Sequence, residues 1–259
     1  MLTHPLLPKL RQLKLSGMLL TLDTRAAQAT ERQLSPTEFL ALLLDDELER
    51  RNQQSLARHL KLSGCDELKT LAHFDFTAAP GLNRGFIQDL TSCAFIKRHE
   101  NLLLTGPTGV GKSHLANGLA IEALKQGLRV LIRNTQRLLT DLHAARADGR
   151  YARLLTKLLT VDVLVLDDFG LQPLPAQAAQ DLYDLIAERY ERRSFIITSN
   201  RAFEEWAEVF GNDLLASAAL DRLTHHCHPL VIRGESYRQR SRRKEVSGDP
   251  SASPADAEL

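Results

Sequence analysis

The chain has 259 residues, 43% hydrophobic and 25% charged, with a formal net charge of +1. That composition is globular, and the near-neutral balance excludes attraction of the whole molecule to nucleic acid, so any such contact must rest on local charge. No apolar run approaches the ~18 residues of a membrane span. Lys9, Arg11 and Lys14 interrupt the apolar stretch a signal peptide needs. Cys65, Cys93 and Cys227 are odd in number and lack C-x-x-C spacing, so reduced thiols in a cytoplasmic protein are expected.

Residues 1–64 read as helical. Leu10, Leu13 and Leu20 are spaced by basic residues, and Ser35-Pro36-Thr37-Glu38 is a capping box with proline at the first helical position. Leu40, Leu44 and Leu48 then recur every four residues as an apolar face, and Gly64 stops the helix. Asp45 to Arg51 reads as a solvated, salt-bridged face. A connector follows to Asn101; its Phe74 and Phe76 either join the core or wall an adenine pocket.

Asn101 to Ser113 reads NLLLTGPTGVGKS. Leu102 to Leu104 are apolar enough for a strand buried on both faces. Gly106, Pro107, Thr108, Gly109, Val110, Gly111, Lys112 and Ser113 fit G-x-x-x-x-G-K-[ST], and His114 and an apolar helix with Leu115 and Leu119 come next. Strand, glycine loop and helix together predict a phosphate cradle. The glycines let backbone N–H groups point at phosphate oxygens, and the helix N-terminus adds partial positive charge. In such a cradle Lys112 reaches the β- and γ-phosphates of ATP, and the Ser113 hydroxyl holds Mg²⁺.

Further along, Arg129–Arg133 is a second β run, Thr135 caps a helix with Leu138, Leu139 and Leu142 inside, and Asp148-Gly149-Arg150 is a turn. Val163–Leu166 is a third β run and ends in Asp167-Asp168. An aspartate at the tip of a buried strand suits Mg²⁺, so Asp167 is assigned to the metal and Asp168 to the attacking water. A helix from Ala176 to Arg192 precedes the run Phe195–Ser199, after which Asn200 is placed to bond the γ-phosphate or the water. Phe203, Trp206 and Phe210 suggest a local cluster under a loop. A helix from Asp213 to His226 leads to a fifth β run, Pro229–Ile232. His225, His226, Cys227 and His228 are adjacent ligands that converge poorly on one ion, and they are not assigned to metal. Residues 238–244 hold five bases in seven, suited to phosphate-backbone contact, and 245–259 has the composition of a disordered tail. Five β runs separated by helices imply an α/β fold with a parallel sheet, with ligands at the carboxyl ends of its strands.

Taken together, FLALLLDDELERR (39–51), ENLLLTGPTGVGKSHLA (100–116), VDVLVLDDFG (161–170), RYERRSFIITSN (189–200), EVFGNDLLASAALDRLTHH (208–226) and GESYR (234–238) resemble the AAA+ ATPases of the DnaC helicase-loader group. The similarity is greatest to IstB-type helper ATPases of insertion sequences. It implies an AAA+ P-loop NTPase with a five-stranded parallel sheet between helices, preceded by a small all-α domain, with the lid absent or truncated. The expected domains are a helical one at 1–66, an entry segment at 67–100, the ATPase at 101–235 and a tail at 236–259. By the same resemblance Gly106–Ser113 is Walker A, Val163–Asp168 is Walker B, Asn200 is sensor 1, and Arg222 is an arginine finger lent to a neighbouring subunit. Arg238 is the one candidate for sensor 2.

Two features depart from the wider pattern: Walker B ends Asp-Asp rather than Asp-Glu, and few residues remain after Ile232 for a lid. The helix pair Thr135–Leu159, with Arg137, Arg146, Arg150, Arg153 and Lys157, corresponds to an element that meets DNA in the relatives. The resemblance further implies a bacterial cytosolic protein that assembles as a ring or helical oligomer on duplex DNA and engages a cognate transposase. The alternatives are a helicase loader and, from another class, a small-molecule P-loop kinase.

Overall fold

The computed structural model describes residues 5–234, 236 and 237. The basic run from Arg238, including the sensor 2 candidate, and the acidic stretch 245–259 lie outside them. The chain divides after His59 into two compact units.

The first unit holds α1 (Leu6–Gln12), α2 (Ser16–Glu31) and most of α3 (Pro36–Ser63). The capping box forms as the sequence predicts: Glu38 N–H donates to Ser35 Oγ and Ser35 N–H to Glu38 Oε2. The inward face of α3 is set by close contact with α2. A Cβ on Gly17 would lie 2.6 Å from the Asp46 carbonyl oxygen, so the two backbones touch there. Met18, Leu22 and Leu43 form the small core. Leu40, Leu44 and Leu48, expected inside, are exposed. Glu47, expected on a solvated face, is 4% exposed. It lies four residues after Leu43, turns inward with it, and accepts the Gly17 N–H at the start of α2. Arg25 donates to Asp46 at 2.8 Å.

The second unit opens with two single turns, Leu71–His73 and Phe76–Ala78, then α4 (Arg84–Thr91) and α5 (Ala94–Lys97). β1 (Asn101–Thr105), α6 (Lys112–Lys125), β2 (Val130–Asn134), α7 (Thr135–Ala147), α8 (Tyr151–Thr160) and β3 (Val163–Phe169) follow. The order closes with α9 (Ala176–Arg189), β4 (Ser194–Ser199), α10 (Ala207–Phe210), α11 (Asp213–His225) and β5 (Cys227–Val231). The strands form one parallel sheet in the order β2-β3-β4-β1-β5. β1 and β4 are buried along their whole length, which is why Leu102–Leu104 and Phe195–Ile197 read as unbroken apolar runs inside them.

Two local readings are corrected. The cap of α7 is Asn134, whose Oδ1 accepts the Arg137 N–H; Thr135 is the first helical residue. Trp206 and Phe210 are not a satellite cluster. They are fully buried in the main core, with Trp206 packed 4.4 Å from Phe169 at the end of β3. Among the described residues no helix is long and apolar enough to cross a membrane, and all three cysteines are free thiols.

Candidate functional site

The loop after β1 is a cup built by close packing. Gly106, Gly109 and Gly111 have φ of 144°, 86° and 96°, in the region that favours glycine. Each is also overhung. A Cβ at Gly106 would lie 2.2 Å from the Ile232 carbonyl oxygen, at Gly109 2.2 Å from Ser236 Oγ, and at Gly111 2.8 Å from the Phe74 ring. Tyr237 N–H donates to the Gly109 carbonyl, so the segment after β5 lies on the loop. Pro107 and Thr108 are exposed and Val110 is buried.

Helix α6 starts at Lys112 with its first-turn N–H groups facing this cup, the arrangement that attracts an anion. Lys112 is 6% exposed and folds back into the cup, where Nζ donates to the carbonyls of Gly106 (2.8 Å) and Pro107 (2.7 Å). Burial lowers its pKa, against the charges of Asp168 and Asp167, which raise it. Ser113 follows on the same turn, half-buried.

The two acids stand at the carboxyl end of β3, opposite this loop across the sheet edge. Their backbone departs from the strand: the β3–β4 register shifts between Leu166 and Phe169, and Asp168 has φ 56°, a left-handed conformation uncommon for a non-glycine residue. Thr198, buried on β4, holds the bend from both sides. Its hydroxyl accepts the Asp168 N–H at 3.0 Å and donates to Asp167 Oδ1. Thr135 Oγ1 donates to the Asp167 carbonyl, and Asn134 Nδ2 donates to Asp168 Oδ2 at 3.2 Å. Asn200 follows β4 at the same edge. Ser113 and Asp167 offer the hard oxygen donors that Mg²⁺ takes alongside phosphate oxygens, so the residues present fit that ion.

Two expected residues are not brought to this place. His114 points away from the cup: its Nε2–H donates to the Thr70 carbonyl at 2.8 Å, and its ring stands edge-on to Phe74. Arg222 sits on α11, just before β5 begins, at the amino end of a sheet whose carboxyl end carries the loop. The length of β1 separates the two edges, roughly 13–17 Å at ~3.3 Å per residue. There Arg222 donates to the Ala218 carbonyl and its guanidinium lies 5.5 Å from the Tyr183 ring.

Several residues around the site were not singled out from the sequence. Asn134 and Thr198 carried a signal, each a polar residue closing an apolar run next to an assigned strand end. Ser236 and Tyr237 lie in the GESYR segment of the resemblance, but nothing local placed them over Gly109, because that approach is a long-range contact. Phe74 is 8% exposed and packs beside the cup, against Gly111 and His114. Asn117 pins the entry segment to α6 by bonds with Asp66 and Lys69.

A five-stranded parallel sheet with a glycine cup and an acid pair at one edge defines a P-loop NTPase of the AAA+ class. The family model for the IstB-like ATP binding protein matches residues 8–245. The ATP-binding protein of insertion sequence IS21 from Pseudomonas aeruginosa is 40% identical over 241 residues, covering 93% of this chain and 91% of that protein. The insertion-sequence ATP-binding protein y4pL of Sinorhizobium fredii is 41% identical over 244 residues, covering 94% and 100%. Among solved structures, the DnaC helicase loader superposes with a TM-score of 0.50 at 24% identity, over 57% of this chain and 86% of that one. The chain belongs to the IstB-like ATP-binding protein family and is a P-loop ATPase.

Proposed function

We propose that the chain is the ATP-driven helper of a transposition reaction, assembling on duplex DNA as a ring or helical oligomer and engaging the cognate transposase. The observation that carries this reading is the separation of Arg222 from the glycine cup within one chain. A finger at the far edge of the sheet serves catalysis only by reaching a neighbour's nucleotide, so turnover is tied to assembly.

In this reading Lys112 turns from the Gly106 and Pro107 carbonyls to the β- and γ-phosphate oxygens of ATP, and the backbone N–H groups of Gly106 to Ser113 surround the phosphates. Ser113 and Asp167 hold Mg²⁺, which when bound neutralises charge on the phosphates. Asp168, fixed by Asn134 and Thr198, orients the attacking water and draws off its proton. Asn200 bonds the γ-phosphate or that water. Arg222 of the next subunit balances the charge that develops on the γ-phosphoryl group, and loss of that group loosens the seam.

For DNA, the reading is supported by exposed Arg137, Arg153 and Lys157 on α7 and α8. Arg146 and Arg150 contribute less, being paired with Asp181 and Asp148. With Tyr151 the one aromatic residue on this pair, and packed under Arg146, phosphate contact with duplex is favoured over base stacking.

The test is complementation. Arg222→Ala is expected to bind ATP normally but to lose ~10³–10⁵ in turnover, and Lys112→Ala to lose nucleotide binding. Mixed on DNA, the two inactive variants should recover activity, because a sound cup then meets a sound finger. Failure to recover in a mixed oligomer, or full turnover by Arg222→Ala, contradicts the reading.

A further inference from the structure

The end of α11 carries a second cluster of ligand-type side chains, away from the glycine cup. Neighbouring histidines on a regular helix diverge, but here the helix stops between them. His225 is the last residue of α11, and His226 leaves it with φ −128° and ψ 81°. Their ring centroids lie 4.0 Å apart. Glu191 arrives from the turn after α9, with φ 56°. Its Oε1 is 3.8 Å from His225 Nδ1 and 3.7 Å from His226 Nε2. All three ligand atoms lie within 4.8 Å of one another.

A tetrahedral ion bound at ~2.0–2.2 Å brings its ligands to about 3.4 Å apart. The cluster therefore needs only a small contraction, and its three side chains are about half exposed and able to make it. Two imidazoles and one carboxylate suit zinc, cobalt and nickel; magnesium and calcium prefer oxygen alone. We propose that Glu191, His225 and His226 form a surface site for a divalent first-row transition ion of the zinc type, with its remaining position taken by water.

Tyr190 regulates access to it. Its hydroxyl is 2.7 Å from His225 Nδ1, so it must swing away for that nitrogen to bind an ion. Tyr190, Glu191, His226 and Arg222 line one small cavity. A bound ion therefore adds positive charge beside Arg222 and strengthens the potential presented to a neighbour's nucleotide. This consequence rests on the proposed role of Arg222; ion binding itself does not.

The experiment is a Co²⁺ titration of the untagged full chain, without nucleotide and in excess Mg²⁺, followed by visible d–d absorption and reversed with Zn²⁺. One equivalent of Co²⁺ with the absorption of a low-coordinate nitrogen site is expected. Glu191→Gln and His226→Ala should each weaken it at least about tenfold, and Tyr190→Phe should tighten it. Circular dichroism should be unchanged in all of them. Arg222→Ala removes a positive charge from the same cavity and should bind Co²⁺ at least as tightly as the parent chain, which keeps this result separate from the finger assignment. Absence of the absorption, or its survival in the His225→Ala/His226→Ala double variant, overturns the site.

Discussion

Replacing Thr198 by valine tests the bend that presents the two acids. The residue is 1% exposed, and its hydroxyl is the bridge between Asp167 and the backbone of Asp168. Valine keeps nearly the same shape and deletes the bridge. The Asp168 N–H then loses this bond, which is part-buried, at a cost of at most about 1–3 kcal/mol. The bond to the Asp167 carboxylate contributes about 1.5–3 kcal/mol, but water reaches that half-buried side chain and restores part of it. The net loss is about 2–4 kcal/mol. At ~2–4 °C per kcal/mol for a unit of this size, the melting temperature falls by roughly 4–16 °C. Activity suffers separately, since the left-handed backbone of Asp168 itself costs about 1–3 kcal/mol and relaxes once released. Turnover should drop at least about tenfold, equivalent to ~1.4 kcal/mol of barrier, while ATP affinity, set by the cup, stays near its normal value. Thermal melts and steady-state phosphate release measure both effects. Thr198→Ser keeps the hydroxyl and loses one methyl, about 0.8 kcal/mol. If the serine and valine variants behave alike, or if valine leaves melting and turnover intact, the bridge is not what holds the acids.

Gly109→Ala combines a φ of 86° with a Cβ 2.2 Å from Ser236 Oγ, so it should weaken binding of a fluorescent ATP analogue at least about tenfold; parent-like affinity would show that the loop yields. Asn117→Ala removes the bonds that pin the entry segment to α6 and should cost about 1–3 kcal/mol by denaturant titration, with faster amide exchange across residues 66–70. The Arg98 guanidinium, with His228 behind it, holds the Glu100 carboxyl at about 2 rather than its usual 4.5. Unfolding at low pH therefore takes up a proton, so this contribution is fully present above pH 4.5 and is lost as pH falls from there toward 2. Melting temperatures of Glu100→Gln should show a shallower acid limb than those of the parent chain, and identical limbs would rule the contribution out.

The parts legible in the sequence were those fixed by local rules. Consecutive apolar residues in Leu102–Leu104 and Val163–Leu166 announce strands buried on both faces, and the glycine spacing announces the cup. The helix start at Pro36 followed from its capping box. What local rules do not hold is which neighbour an element meets. The face of α3 is chosen by contact at Gly17, so Leu43 and Glu47 turn inward while Leu40, Leu44 and Leu48 face out. His114, beside the lysine of the loop, seemed part of the cup. It faces the entry segment because the carbonyl of Thr70 lies there. The strand order, with β1 between β4 and β5, and the approach of Ser236 to Gly109 are likewise long-range facts.

Asn134 belongs to two structures at once. Its Oδ1 caps α7 by accepting the Arg137 N–H, and its Nδ2 holds Asp168. The helix pair that begins there is otherwise braced from within. Buried Asp181 on α9 takes Arg146, Tyr151 and Gln177, and buried Arg189 donates to the Leu158 and Val161 carbonyls at the end of α8. The first turn of α7 is where this braced pair meets the site. Force applied to exposed Arg137 acts one turn from the amide that orients Asp168. In the proposed reading, coupling between DNA on α7 and α8 and the water at Asp168 needs no long chain of intermediaries, because the Asn134 side chain bonds both the α7 cap and the acid.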